Sequence, residues 1–168
     1  AAVASAPSAG LREATLALAA KGRARSWTQA LALLRGFARG DGGLRLDARA
    51  YNAAVSACEQ GRQWAQACAV VEQMGSGGID PNTFTYCAAT SACEKARLWR
   101  HALALLAELA SRRQMEPSVV AYNAAISACE KGQCWERALV LAEELQHRHL
   151  EPDVIMYSAA ISSCEKGQ

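Results

Sequence analysis

An all-α chain of stacked helical hairpins is the fold class this sequence predicts, and three observations predict it. The first is self-similarity: YNAAVSACEQ from Tyr51, YCAATSACEK from Tyr86, YNAAISACEK from Tyr122 and YSAAISSCEK from Tyr157. The tyrosines stand 35, 36 and 35 residues apart. A fixed period of a few tens of residues marks a stacked array, whose function sits on a repeated surface. The second is composition: 51% of the 168 residues are hydrophobic, only 6% are aromatic, and alanine and leucine dominate, which favours helices. The third is a 3.6-residue apolar period inside each repeat, punctuated by Gly and Pro.

Along the chain, 1–10 is a low-complexity lead-in expected to be disordered, and 11–47 is a degenerate repeat. Ala14 stands where the tyrosine should be, 27–37 matches a second helix, and the glycine-rich run 40–43 reads as a loop between hairpins. Full repeats are predicted at 48–82, 83–118 and 119–153, and 154–168 is the first helix of a truncated one. The 119–153 repeat serves as the template. No Pro or Gly interrupts 120–131, where Val120, Ala124, Ser127 and Ala128, with Tyr122 and Ile126, form small and apolar faces. Gly132 then stops the helix. A second helix from about Cys134 carries the stripe Trp135, Ala138, Leu139, Ala142 and Leu145. Glu136, Arg137, Glu143, Glu144 and Arg148 are assigned to solvent, and Pro152 blocks any continuation. Trp27, Trp64, Trp99 and Trp135 open the second helices as core anchors, while Pro81, Pro117 and Pro152 close three units. The tyrosines are expected to pack between hairpins. An apolar face at Tyr157, Ala160 and Ile161 predicts that the chain is a fragment whose natural array continues.

Charge and cysteine content narrow the functional classes. Eighteen Lys and Arg against sixteen Asp and Glu leave a formal charge of +2, which neither requires nor excludes a nucleic-acid partner. Of seven cysteines, Cys58, Cys93, Cys129 and Cys164 recur at one repeat position and read as small buried residues in a reducing compartment. The absence of any Cys-x-x-Cys pair leaves a metal site without support. No apolar run approaches the roughly 20 residues that span a bilayer. No phosphate-cradling loop, deaminase signature or nucleophile–base pair is present, so no catalytic residue, cofactor, small-molecule substrate or membrane partner is assigned.

VVAYNAAISACEKG from Val119, WERAL from Trp135 and LEPDV from Leu150 resemble a pentatricopeptide repeat. The likeness is strong over 48–168 and weak over 11–47. The tetratricopeptide pattern, with its 34-residue period, fits worse. The resemblance implies a right-handed superhelical solenoid of helix-turn-helix repeats, with first helices lining a groove for single-stranded RNA, one base per repeat. It implies a role in chloroplast or mitochondrial RNA processing, stability, editing or translation. It also implies two reading positions, the residue after the tyrosine and the last residue of the repeat. Thr15 with Asp47 then implies guanine, and Asn52 with Asn82 a pyrimidine. Cys87 with Ser118 matches no standard base, Asn123 with Asp153 implies uracil, and Ser158 opens a fifth reader. The array would read 5′-G-(C/U)-N-U-3′. Wedges between bases fall to Phe84, Val120 and Ile155, with Arg49 departing from the aliphatic norm.

Other roles compete for some of these residues. Asp47, Asn82, Ser118 and Asp153 each precede a first helix, where Asp, Asn and Ser are preferred N-caps, so capping and base reading both fit. Asn52 and Asn123 lie inside a first turn, where asparagine propagates a helix poorly and its amide suits a base edge. Lys95, Lys131 and Lys166 suit either phosphates or the negative end of the helix dipole. His147 and His149 face different sides of a helix end and do not form a metal site. The alternative function is a helical-repeat scaffold for protein–protein interaction.

Overall fold

The computed structural model describes residues 27–38, 47–112 and 115–166. The lead-in 1–10, the first helix expected near Ala14 and Thr15, and the loop at 40–43 lie outside the described residues. Among the described residues all regular structure is helical. Eight helices follow one another: α1 (Trp27–Ala38), α2 (Ala48–Gln60), α3 (Trp64–Ser76), α4 (Thr83–Lys95), α5 (Trp99–Ser111), α6 (Val119–Lys131), α7 (Trp135–His147) and α8 (Val154–Lys166).

Two compact units divide the chain, Ala1–Pro81 and Asn82–Gln168. In the first, α2 packs against α1 and α3. In the second, α6 is central and touches α4, α5, α7 and α8. Small side chains make this crowding possible. Ala121, Ala124, Ala125, Ala128 and Cys129 of α6 are buried, and the sulfurs of Cys58 and Cys93 fill the same place on α2 and α4. Cys164 on α8 is only half-buried.

The first helices of the hairpins end alike. The N–H groups of Gln63, Leu98 and Cys134 donate to the carbonyls of Cys58, Cys93 and Cys129 at 2.8, 2.9 and 2.9 Å. Those of Arg62, Arg97 and Gln133 donate to Glu59, Glu94 and Glu130 at 3.1, 3.0 and 3.2 Å. This is the Schellman ending, which places one residue in the left-handed region. That residue is Arg62, Arg97 or Gln133, with φ of 56°, 61° and 57°. Gly132 caps α6 as expected, but with a φ of −89° it does not itself occupy the left-handed region. Packing demands its glycine instead: a Cβ there would collide with Cδ1 of Trp99, and one at Gly61 would stand 2.5 Å from Cδ1 of Trp27. Trp27 and Trp99 thus anchor one hairpin against the turn of the next.

Two expectations for the second helix are corrected. The buried residues of α7 are Ala138, Leu141 and Leu145, a stripe at i, i+3 and i+7. Trp135 and Leu139 are exposed and Ala142 is half-buried. Leu139 and Ala142 instead line an open groove of about 540 Å³ with Tyr157, Ala160 and Ile161 of α8. Tyr157 is 49% exposed and Ile161 61%, whereas their counterparts Tyr122 and Ile126 are fully buried. On α6, Val120 lies outside the core and is exposed.

Two substitutions should move stability in opposite directions. Gly132→Ala drives a methyl into Trp99 and should cost about 1–3 kcal/mol. Thr90→Val should add about 1 kcal/mol, because the Thr90 hydroxyl is fully buried without a hydrogen-bond partner where Val55 and Ile126 stand in other repeats. Urea unfolding followed by circular dichroism measures both.

Candidate functional site

Each first helix begins with N–H groups that have no partner within the helix. Side chains just upstream supply the acceptors. Asp47 Oδ1 accepts from Ala50 N at 2.9 Å, and Asn82 Oδ1 accepts from Thr85 N at 3.0 Å. The Thr85 hydroxyl in turn accepts from Asn82 N at 3.2 Å, completing a capping box. Ser118 Oγ accepts from Ala121 N at 3.4 Å, and Asp153 Oδ1 from Met156 N at 2.9 Å. All four closing residues therefore cap helices.

Capping does not exhaust these side chains. Asp153 Oδ2 accepts from Asn123 Nδ2 at 2.7 Å, so one carboxylate both starts α8 and holds the residue after Tyr122. The Asn123 Oδ1 atom is buried and has no hydrogen-bond partner. One repeat earlier, Cys87 Sγ and Ser118 Oγ meet at 3.4 Å. Burial pushes the Cys87 thiol up, with the Ser118 contact opposing, so at neutral pH it is an uncharged, weak hydrogen-bonding group. Two of the expected reading pairs are thus brought together side by side. Asn52 is half-buried as the fifth residue of α2, just past the first turn expected for it, and Asn82 is the exposed cap that precedes α4 in the other unit. Thr15 lies outside the described residues. Ser158 is exposed and donates to Val154 O at 2.7 Å within α8.

The expected wedge residues project from the same first turns. Phe84, Val120 and Ile155 are 57%, 65% and 64% exposed, and Arg49 is exposed as well. Large apolar side chains left in water at corresponding places are costly unless something covers them.

Three interactions among these helices were not read from the sequence. Glu94 of α4 accepts from Ser127 Oγ at 3.2 Å and from Lys131 Nζ at 2.6 Å, joining α4 to α6. Lys131 therefore has a carboxylate partner, a third role beside the phosphate and dipole roles that its sequence position suggested. The other two join each tyrosine to its own second helix. Tyr86 Oη donates to Glu108 Oε1 at 2.6 Å, and Tyr122 Oη to Glu144 Oε1 at 2.9 Å. Arg112 and Arg148 bind the same oxygens at 3.3 and 3.1 Å. Glu144 and Arg148, expected to face solvent, are correspondingly tied into the hairpin. The repeated spacing of Tyr to Glu by 22 residues was the available sequence signal.

A family model for the Pentatricopeptide repeat domain matches residues 39–95 and 105–166, the greater part of the sequence. The chain belongs to the pentatricopeptide repeat family. Its fold is shared with solved members. Maize PPR10, in complex with an 18-nt psaJ RNA element, is similar at a TM-score of 0.78 and 28% identity over 92% of this chain. This chain spans only 22% of PPR10. The PPR domain of Arabidopsis thaliana protein-only RNase P 1, in complex with tRNA, gives a TM-score of 0.79 at 15% identity. That likeness covers 96% of this chain and 86% of that one. A. thaliana nuclear protein-only RNase P 2 gives 0.80 at 16%, covering 95% and 36%. These last two show the fold alone. No curated protein sequence matches the chain.

The buried hydroxyls and thiols of this pentatricopeptide repeat array make its stability depend on alkaline pH. Burial, then the bond to Glu108 or Glu144, pushes Tyr86 and Tyr122 up to about 12, with the neighbouring arginine opposing. Burial pushes Cys58 and Cys129 up to about 11. A folded-state pKa above the unfolded one stabilises below the unfolded value and loses that contribution as pH rises toward the folded one. Stability should therefore fall from about pH 9, where free thiols ionise, and more steeply beyond about pH 10, where free tyrosines do. Urea midpoints from pH 8 to 11.5 check this, and a Tyr86→Phe, Tyr122→Phe double variant should flatten the upper part.

Proposed function

We propose that this chain binds single-stranded RNA along the face carrying the first-helix N-termini, one base to a repeat. By family resemblance it acts in transcript processing, stability, editing or translation in a chloroplast or mitochondrion. The repeat limits 48–82, 83–118 and 119–153 belong to this reading, and in the last two the closing residue, Ser118 or Asp153, meets the reader of its own repeat.

The observation that carries the proposal is the Asn123–Asp153 hydrogen bond at 2.7 Å. It fixes the asparagine amide with its N–H turned to the carboxylate and its Oδ1 left as an unsatisfied acceptor. A buried acceptor without a partner favours a ligand that brings a donor. Uracil offers its imino N–H there, whereas the corresponding ring nitrogen of cytosine is itself an acceptor. Exposed Val120 and Ile155, before the tyrosines of successive repeats, suit contact with base faces on either side. PPR10, 28% identical, forms a complex with an RNA element, which supports RNA as the ligand class. Cys87 and Ser118 offer only a thiol and a hydroxyl, so their repeat discriminates weakly. The reading over four repeats is 5′-G-(C/U)-N-U-3′, set by Thr15 with Asp47, Asn52 with Asn82, and Asn123 with Asp153.

A protein-binding scaffold is the second reading. The groove of about 470 Å³ in the second unit, with Leu103, Leu106 and Val140 in its lining, favours it.

Asp153→Ser separates capping from reading, because serine also caps helices well. The variant should keep its melting temperature within a few degrees while its preference opposite that repeat moves from U toward C. A change of about tenfold is expected, since one well-formed base-edge pair discriminates by about 1–3 kcal/mol. Nuclear magnetic resonance titration with 5′-GCAU-3′ and 5′-GCAC-3′ reads it, and an unchanged preference refutes the assignment.

A further inference from the structure

The tyrosines are among the most regular residues of the repeat, yet two of them are not merely packed. Tyr86 and Tyr122 are fully buried, and each ends its side chain on a carboxylate of the second helix. A neutral hydroxyl donating to a carboxylate makes a short, directional bond. In both hairpins the same carboxylate oxygen also receives an arginine from one turn further along. The triad is therefore a repeated device: Tyr86, Glu108 and Arg112, then Tyr122, Glu144 and Arg148. In the Tyr51 hairpin the corresponding places hold Gln73 and Gly77, which cannot form it.

We infer that Glu144 is a positioning residue for base discrimination by Asn123, acting through Tyr122. Rotation of α6 about its axis is the freedom at issue. Small residues on both sides of α6 permit close packing but resist such rotation weakly. A bond from the tip of the longest buried side chain on α6 to α7 resists it at the greatest lever arm. Asn123 follows Tyr122 directly, so the same rotation sets where its amide meets Asp153. Losing the bond leaves the helix in place and lets the amide leave the carboxylate. Glu108 holds Tyr86 in the same way beside Cys87, but no amide stands there to be aimed.

This inference rests on the RNA reading, and the test separates the two. Three variants of the whole chain are compared: Glu144→Ala and Tyr122→Phe, which break the bond, and Glu144→Gln, which keeps an acceptor. Without RNA, the Asn123 side-chain amide is followed by nitrogen-15 resonance. Its N–H signals should exchange with solvent several-fold faster in the first two variants and stay near wild type in Glu144→Gln. Burial, the larger cause of the raised Tyr122 pKa, remains in Glu144→Ala, so the tyrosine titration should move down from about 12 but stay above that of a free tyrosine. With RNA, the preference for 5′-GCAU-3′ over 5′-GCAC-3′ should collapse from about tenfold to about twofold in Glu144→Ala and Tyr122→Phe. Glu144→Gln should retain it. An unchanged Asn123 amide in both bond-breaking variants overturns the inference whether or not RNA binds. Affinity that falls equally for both oligonucleotides overturns it too, since that marks a purely structural loss. Wild-type protein that binds neither RNA refutes the RNA reading, while the amide measurement still decides the positioning of Asn123.

Discussion

The organisation of the candidate site depends on the unsatisfied N–H groups at the start of every first helix. The backbone needs an acceptor there, and Asp47, Asn82, Ser118 and Asp153 provide it. A cap fixes the first residue of its helix and so fixes the direction in which the next few side chains leave. Phe84, Val120 and Ile155 point outward because each stands two residues beyond such a cap. Cys87 and Asn123 lie five residues beyond the caps Asn82 and Ser118, on the same helices. Asp153 shows the economy of the arrangement, with one oxygen serving α8 and the other holding Asn123 of α6.

Much of this was legible in the sequence because it is local. Helix limits follow from the caps and the turn residues, which lie within a few positions of what they control. The recurrence of Cys58, Cys93 and Cys129 at one repeat position marked them as buried, and they are. The pairing of Asn123 with Asp153, 30 residues apart, came from family resemblance, since period and propensity alone place neither beside the other. Three features stayed out of reach for one reason: each depends on how one helix is rotated against another. Gly132 read as a helix stop because glycine commonly is one, but its constraint comes from Trp99 a full hairpin earlier. Lys131 suited a phosphate or the helix dipole from its position in the sequence, whereas it pairs with Glu94 of the preceding first helix. Leu139 read as core because its spacing fits, yet it turns toward the open groove beside Tyr157 and Ile161. Periodicity identifies an apolar face but does not say which neighbour covers it.

The polar bonds fall into two sets with different directions. Tyr86 to Glu108 and Tyr122 to Glu144 run inside a hairpin, from its first helix to its second. Glu94 to Ser127 and Lys131, and Asn123 to Asp153, run between hairpins. Alanine-rich faces make most of the contact, and such faces are tolerant of sliding because their side chains are small and alike. Directional bonds at the edges of those faces select one setting from several of similar packing energy. Exposed ion pairs contribute only about 0–1 kcal/mol each, so their value here lies in register more than in stability.

A capping position also limits the chemistry it can present to a ligand. Asp, Asn, Ser and Thr cap well, whereas Leu, Val, Ile and Ala leave the helix N–H groups unmet at a cost of about 0.5–2 kcal/mol. Positions 47, 82, 118 and 153 therefore vary within a short set of side chains that the helix itself has already screened. That set happens to differ in the property a base edge can sense: an anion at Asp153, an amide at Asn82, a hydroxyl at Ser118. The position after the tyrosine carries no such restriction. It is held by Asn123 in one repeat and by Cys87 in another without changing the length of the helix. Divergence of ligand preference among repeats should accordingly arise more freely at the position after the tyrosine than at the cap. Substitutions at the cap must satisfy two partners at once.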